Sequence, residues 1–283
     1  LNEPNLLAQD GFPPAESDPR FHQQFVYAVA MKTIEAFEHA LGRKALWSPR
    51  QRPEQPDDDE YVGKLRIYPH ALREANAYYH PGKKALLFGY FASSAGKSDS
   101  IYPQGMIFTC LSHDIVAHET THALLDGMHP TFNQPTNRDQ LAFHEAFADI
   151  AALFQHFATP GVVRHQIART RGNLRARNIL GELASQFGEA TGLRGALRSY
   201  IGRIDPATGE WRPLEPDPTA YERLTEAHDR GALLVAAIFD AFLSIYERRS
   251  ADLVRLASAG TGELPTGAIH PDLVNRLSDE AIK

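Results

Sequence analysis

The sequence contains a single cysteine, Cys110, in 283 residues. One cysteine excludes an intrachain disulfide framework, and it also excludes a structural zinc site built from several thiolates. We therefore expect Cys110 to be a buried thiol of the core.

The sequence also lacks an excess of basic residues, since 29 Lys and Arg stand against 35 Asp and Glu, with a formal net charge of −6. Nucleic-acid binders usually carry a basic surface, so we predict no nucleic-acid partner. No apolar run reaches the roughly 18 residues of a membrane span, and no basic-then-apolar secretory signal opens the chain. The chain begins with Leu1, so we expect trimmed termini and leave localisation and oligomeric state open.

An apolar content of 43% is sufficient for one large domain or two lobes. Apolar spacing predicts a helix from Arg20 to about Leu41, ended by Gly42. The proline-rich, acidic stretch 48–60 is interpreted as a surface loop, with calcium capture as the less favoured reading. Residues 62–91 alternate as strands do and include a Pro81-Gly82 turn, which predicts a small sheet.

The central motif is His118-Glu119-Thr120-Thr121-His122. On a helix, His118 and His122 lie one turn apart on one face, so both imidazoles can bind the same ion. Two imidazoles suit zinc, and Glu119 beside the first ligand can act on a water molecule. The motif predicts metal-assisted hydrolysis.

A second predicted helix, which includes residues 141–150, carries Glu145 and Asp149 four residues apart on one face. Carboxylates on an otherwise apolar helix need a partner, because buried charge is costly. A zinc site offers one, with Glu145 as third ligand and Asp149 orienting a ligand histidine. The alternative is a pair of exposed acids in surface salt bridges.

Segments 114–123 and 145–150 resemble the two metal motifs of the thermolysin family of gluzincin metallopeptidases, and their spacing is similar. The resemblance implies roles for five side chains: zinc ligands His118, His122 and Glu145, general base and proton shuttle Glu119, and Asp149 as the acid that holds His118.

Three further segments resemble the same family. Asn76-Ala77-Tyr78-Tyr79 is similar to its substrate edge strand, which would make Asn76 and Ala77 substrate-binding residues. An edge strand can align an extended peptide through main-chain hydrogen bonds. By the same resemblance, Arg198 binds a substrate carbonyl, and His228 is a catalytic residue that stabilises the oxyanion.

The sequence departs from the family pattern at several positions. Phe132 stands near the position of a family tyrosine, and the acid that usually precedes the catalytic histidine has only Glu222 or Glu226 as substitutes, because Arg223 holds its position. Asp114 and Glu189 match two calcium ligands of the family, but His156 stands where the family has a further acidic ligand. The resemblance therefore supports a Ca²⁺ site only weakly. Asp114 could equally be a helix cap or first-turn acid.

These observations predict an α+β, two-lobe thermolysin-like fold. Residues 1–124 would form a sheet-bearing N-terminal lobe that includes the zinc helix, and residues 125–283 a mainly helical C-terminal lobe, together one catalytic unit. The predicted function is a Zn²⁺-dependent endopeptidase acting on peptide or protein substrates. Two alternatives remain: a catalytically weak or inactive gluzincin-like peptide-binding module, and a zinc hydrolase of a non-peptide amide or ester. Four histidines have no ligand-like spacing and are expected to be ordinary surface or core residues: His113, His129, His144 and His165.

Overall fold

The computed structural model describes residues 4–52, 55–92, 105–175, 202–204, 211–213, 217, 219–264 and 266–283. The fold is mixed α+β, as the sequence predicts. The described chain divides into two compact units, the first ending at Ala152 and the second beginning at Leu153. The sequence places its lobe boundary earlier, after residue 124. Segments 114–123 and 145–150 both belong to the first unit.

The first unit opens with α1 (Pro4–Ala8) and the long helix α2 (Pro19–Leu41). Asp18 caps α2 by accepting a hydrogen bond from the backbone N–H of Arg20, and Gly42 ends it in the left-handed conformation with φ of 66°. The sequence prediction of this helix is confirmed. Its buried face follows helical spacing through His22, Val26, Val29, Ala30 and Thr33.

The acidic stretch 48–60, predicted as a loop, is largely a strand pair. Strand β1 (Arg50–Arg52) lies antiparallel to β2 (Gln55–Glu60), and Arg50 faces Glu60. The loop prediction was wrong because it weighed proline and acidic content alone. Opposite charges on facing positions favour strand pairing, which composition does not reveal.

A four-stranded sheet follows, formed by β3 (Arg66–Leu72), β4 (Ala77–His80), β5 (Ala85–Ala92) and β6 (Met106–Phe108). Strand β5 is central: it pairs in parallel with β3 and antiparallel with β4 and β6. Strand β4 is therefore an edge strand. Gly89 of β5 allows the segment before β4 to approach closely, since a Cβ there would lie 2.2 Å from the carbonyl oxygen of Glu74.

Helix α3 (His113–Met128) follows a short 3-10 turn at Thr109–Leu111. Ser112 is its N-cap, so Asp114 is a first-turn acid and not the cap. Ten of its 16 residues are buried. Its buried hydroxyls are satisfied locally, because Thr120 and Thr121 donate to carbonyls one turn earlier.

A second 3-10 turn (Pro130–Asn133) leads to α4 (Arg138–Phe157), which carries Glu145 and Asp149 as predicted. The core of the first unit joins α2, the sheet and α3 through Val26, Leu86, Phe88 and Val116. Cys110 lies in this core and is fully buried, as expected from the sequence.

The second unit contains α5 (Pro160–Thr170), the strand pair β7 (Gly202–Ile204) and β8 (Trp211–Pro213), α6 (Ala220–Arg223), α7 (Ala227–Ala257) and α8 (Pro271–Ile282). Ile167, Leu243 and Leu277 are buried at its centre. The phenol of Tyr246 donates to the carbonyl of Gly172 over 2.9 Å. Among the described residues, no helix combines the length and the apolar character that crossing a bilayer requires.

Candidate active site

Three side chains converge where α3 and α4 meet in the first unit. Nε2 of His118 and Nε2 of His122 lie 2.9 Å apart, and Oε2 of Glu145 lies 3.3 Å from the first and 3.4 Å from the second. The two histidines are one turn apart on α3, and Glu145 faces them from α4. The structure therefore brings together the three predicted ligands.

The spacing of these atoms matches a tetrahedral metal site. With metal–ligand bonds near 2.0–2.1 Å, tetrahedral angles separate neighbouring ligand atoms by about 3.3 Å. The three observed separations, 2.9, 3.3 and 3.4 Å, lie on either side of that value. Two imidazoles and one carboxylate form the donor set of a catalytic zinc centre, which leaves a fourth position for water or substrate. The three residues could therefore hold a metal ion.

Asp149 lies behind His118. Its Oδ1 is 2.6 Å from Nδ1 of His118, so the carboxylate accepts the proton of the nitrogen that faces away from Glu145. Burial alone would lower the pKa of His118, but the adjacent Asp149 and Glu145 carboxylates raise it well above its usual value. In the neutral ring, the carboxylate beside Nδ1 favours the tautomer whose Nε2 lone pair faces the ligand triangle.

His144 holds the second ligand in the same way, although sequence spacing predicts it to be an ordinary surface or core residue. Its Nδ1 lies 2.6 Å from Nδ1 of His122, and the two rings are stacked. Since His122 can offer Nε2 to a metal only if Nδ1 carries the proton, His144 must accept that proton. Burial, with the charge of His122 adding to it, lowers the pKa of His144 to about 4, which keeps its ring neutral and able to accept.

The chemical signal for His144 is its position directly before Glu145. On α4, that position places the ring beside the third ligand and within reach of the second. The remaining nitrogen, Nε2 of His144, is buried with no hydrogen-bond partner among the described residues.

We expect His144→Ala to weaken metal binding by about 10- to 100-fold, the usual cost of losing an orienting partner of a ligand histidine. His144→Asn should stay within a few-fold of wild type, because the amide oxygen can accept the same proton. Competition with a calibrated chelator measures both affinities. His165→Ala, at an exposed position on α5 in the second unit, is the matched control. Wild-type affinity in His144→Ala would contradict the orienting role.

Glu119 lies on α3 beside His118, with its carboxylate buried. Its Oε2 accepts a hydrogen bond of 2.8 Å from the backbone N–H of Tyr79 in β4. Burial raises the pKa of Glu119, and the nearby His118 and His122 oppose that shift. A carboxylate with a raised pKa beside the ligand triangle is suited to take up a proton near neutral pH.

The hydrogen bond from Tyr79 also fixes the orientation of the edge strand. Alternate residues of a strand direct their main-chain groups to opposite sides, so Ala77 shares the outward side of Tyr79. In agreement, the carbonyl of Asn76 faces the other way and accepts from Gly89 of β5. The side-chain oxygen of Asn76 accepts from the N–H of Ala77 over 2.9 Å. The carbonyl of Ala77 is thus directed to the open edge, beside Glu119.

A buried polar cluster anchors this strand to α3. Oδ2 of Asp126 accepts from the phenol of Tyr79 over 2.7 Å and from Nζ of Lys84 over 3.1 Å. Oδ1 of Asp126 accepts from Asn133 over 2.5 Å. The sequence did not reveal Asp126, which lies one turn beyond His122 on the same helix.

His228 and Phe132 belong to elements other than α3 and α4. His228, in the first turn of α7 in the second unit, is about half exposed, and its Nδ1 lies 2.9 Å from Oε1 of Glu226. Glu226 is therefore the acid beside His228. Phe132 lies in the 3-10 turn after α3, where its ring stacks on His129 and contacts Phe143 edge-on. Arg198 and Glu189 lie outside the described residues.

No protein-family model matches the chain, and searches of curated proteins and of solved structures likewise found no significant match.

Proposed function

We propose that the protein is a zinc-dependent endopeptidase with a two-lobe, thermolysin-like gluzincin architecture. The observation that supports this most strongly is the triangle of His118, His122 and Glu145, with Glu119 hydrogen-bonded to an edge strand beside it. Metal ligands, a general base and a peptide-aligning edge are the parts that peptide hydrolysis needs.

When bound, a zinc ion would supply Lewis-acid polarisation of the scissile carbonyl and lower the pKa of water. The outward carbonyl of Ala77 accepts a main-chain N–H of an extended substrate, which sets its direction along β4. Glu119 takes a proton from the attacking water as its oxygen bonds to the carbonyl carbon. The same carboxylate then delivers the proton to the leaving amine as the C–N bond breaks. The products are two shorter peptides.

Asp149 and His144 orient the two ligand rings, and the hydrogen bond from Tyr79 keeps one oxygen of Glu119 in place. His228, with Glu226 beside it, and Arg198 are proposed to bind the substrate oxygens. Phe132 has no hydroxyl to donate to a developing oxyanion. This absence is the observation that favours the second candidate, a peptide-binding module without turnover.

Cleavage of a quenched peptide library tests the proposal. We expect the zinc-loaded protein to cleave, the chelated protein to lose that activity, and zinc added back to restore it. Cleavage that is unaffected by thorough chelation would contradict a metal mechanism. Peptide binding without cleavage by the zinc-loaded protein would favour the binding module, whereas turnover of small esters or amides alone would favour a non-peptide hydrolase.

A further inference from the structure

A second group of metal-binding side chains lies in the first unit, on elements that contribute no ligand to the candidate active site. It comprises His22 of α2, His70 of β3 and Cys110 of the 3-10 turn before α3. One ligand atom from each lies within 4.8 Å of the other two. We propose that these three residues form a second, His2Cys metal site for a thiophilic late transition-metal ion such as Zn²⁺ or Cu⁺.

His22 is oriented as a metal ligand would be. Its Nε2 lies 2.8 Å from the carbonyl oxygen of Glu16, an acceptor only, so Nε2 must carry the proton. The lone pair is therefore on Nδ1, which faces His70. Ligand histidines almost always donate their second N–H to a carbonyl or carboxylate. His22 is buried, and its ring lies against Phe108 with centroids 4.5 Å apart.

His70 completes a pair of facing nitrogens. Its Nε2 lies 2.8 Å from Nδ1 of His22, close to the 2.9 Å between the nitrogens of His118 and His122. The register between β3 and β5 shifts between Tyr68 and Leu72, and such irregularities redirect side chains. Because His70 is partly exposed, it offers an ion a route in from solvent.

Cys110 determines which ions suit the site. Its thiol is buried, and it would release its proton to solvent as a bound ion forms a metal–thiolate bond. One thiolate and two imidazoles are softer donors than the carboxylate-containing active site, and they disfavour Mg²⁺ and Ca²⁺. Three protein ligands with no carboxylate also distinguish this site from the triangle on α3 and α4.

Cobalt(II) titration tests the proposal, because a cobalt–thiolate bond adds a charge-transfer absorption in the near ultraviolet. Cys110 is the sole cysteine, so this band can arise only from the second site. We expect the band in wild type and in Glu145→Ala, which removes an active-site ligand. We expect it to be lost in Cys110→Ala and in His70→Asn, with metal stoichiometry falling from two ions per chain to one. His39→Asn, an exposed position on α2, is the matched control and should keep the band.

If Cys110→Ala fails to fold, His70→Asn alone tests the proposal. The side chain of His70 is partly exposed, so we expect this variant to fold. Absence of the band in folded wild type and Glu145→Ala would overturn the proposal and leave His22 and His70 as a hydrogen-bonded pair. Persistence of an equally intense band in His70→Asn would also overturn it. Since the active-site ligands include no sulfur, loss of peptidase activity alone would leave the band unchanged.

Discussion

Glu119→Gln is expected to lower kcat for peptide cleavage by about 10²- to 10⁴-fold, the usual contribution of a positioned general base. Glutamine keeps the size of the side chain and an oxygen that can accept from the N–H of Tyr79. It cannot take up a proton at neutral pH. The loss should therefore appear in kcat, while zinc content and the free energy of unfolding stay near the wild-type values.

Steady-state kinetics, together with elemental analysis of the same samples, separate these effects. Glu35→Gln, an exposed position on α2, is the matched acid-to-amide control and should leave kcat unchanged. Equal turnover by wild type and Glu119→Gln would rule out Glu119 as the base. A parallel loss of zinc would mean instead that the substitution had disturbed the ligand triangle.

Much of the candidate metal site could be predicted from the sequence because its spacing is local. His118 and His122 are one helical turn apart, as are Glu145 and Asp149, and helix geometry places each pair on one face without tertiary information. That the two faces meet was inferred from the cost of burying carboxylates without partners. In the structure, Glu145 lies within 3.4 Å of both histidines.

His144 and the second group of ligands could not be found in this way. His144 pairs with a ligand 22 residues away, and no periodicity links the two. His22, His70 and Cys110 lie on three separate elements, so only the packing of α2 against the sheet region brings them together. Cys110 was correctly predicted to be buried, but its neighbours depend on contacts that are distant in sequence.

The strands also show that local features can be predicted from the sequence, whereas pairing between distant segments cannot. The turn at Pro81-Gly82 is local and is predicted from the sequence, whereas the pairing of β1 with β2, in which Arg50 faces Glu60, was missed. The edge position of β4 was expected only from the family resemblance. It results from β5 taking the central place in the sheet.

Asp126→Asn is expected to destabilise the protein by about 3–5 kcal/mol, because it leaves the charge of Lys84 buried without its counter-ion. Both side chains are nearly inaccessible, at 7% exposure for Lys84 and 3% for Asp126. Adding Lys84→Met should recover much of the loss, since a buried ion pair can often be replaced by neutral side chains at little cost. Denaturant unfolding of wild type, both single variants and the double variant gives the four free energies of unfolding that a double-mutant cycle needs.

The same substitution should also impair catalysis, because Asp126 holds the phenol of Tyr79 and the N–H of Tyr79 holds Glu119. A displacement of about 1 Å at a catalytic group can cost 10²-fold in rate. Tyr79→Phe separates the two effects, since it removes the hydrogen bond to Asp126 while leaving the ion pair with Lys84. We expect Tyr79→Phe to lower kcat more than its modest loss of stability would suggest. If kcat in Tyr79→Phe equals that of wild type, Asp126 serves stability alone and the position of Glu119 is set by the main chain of β4.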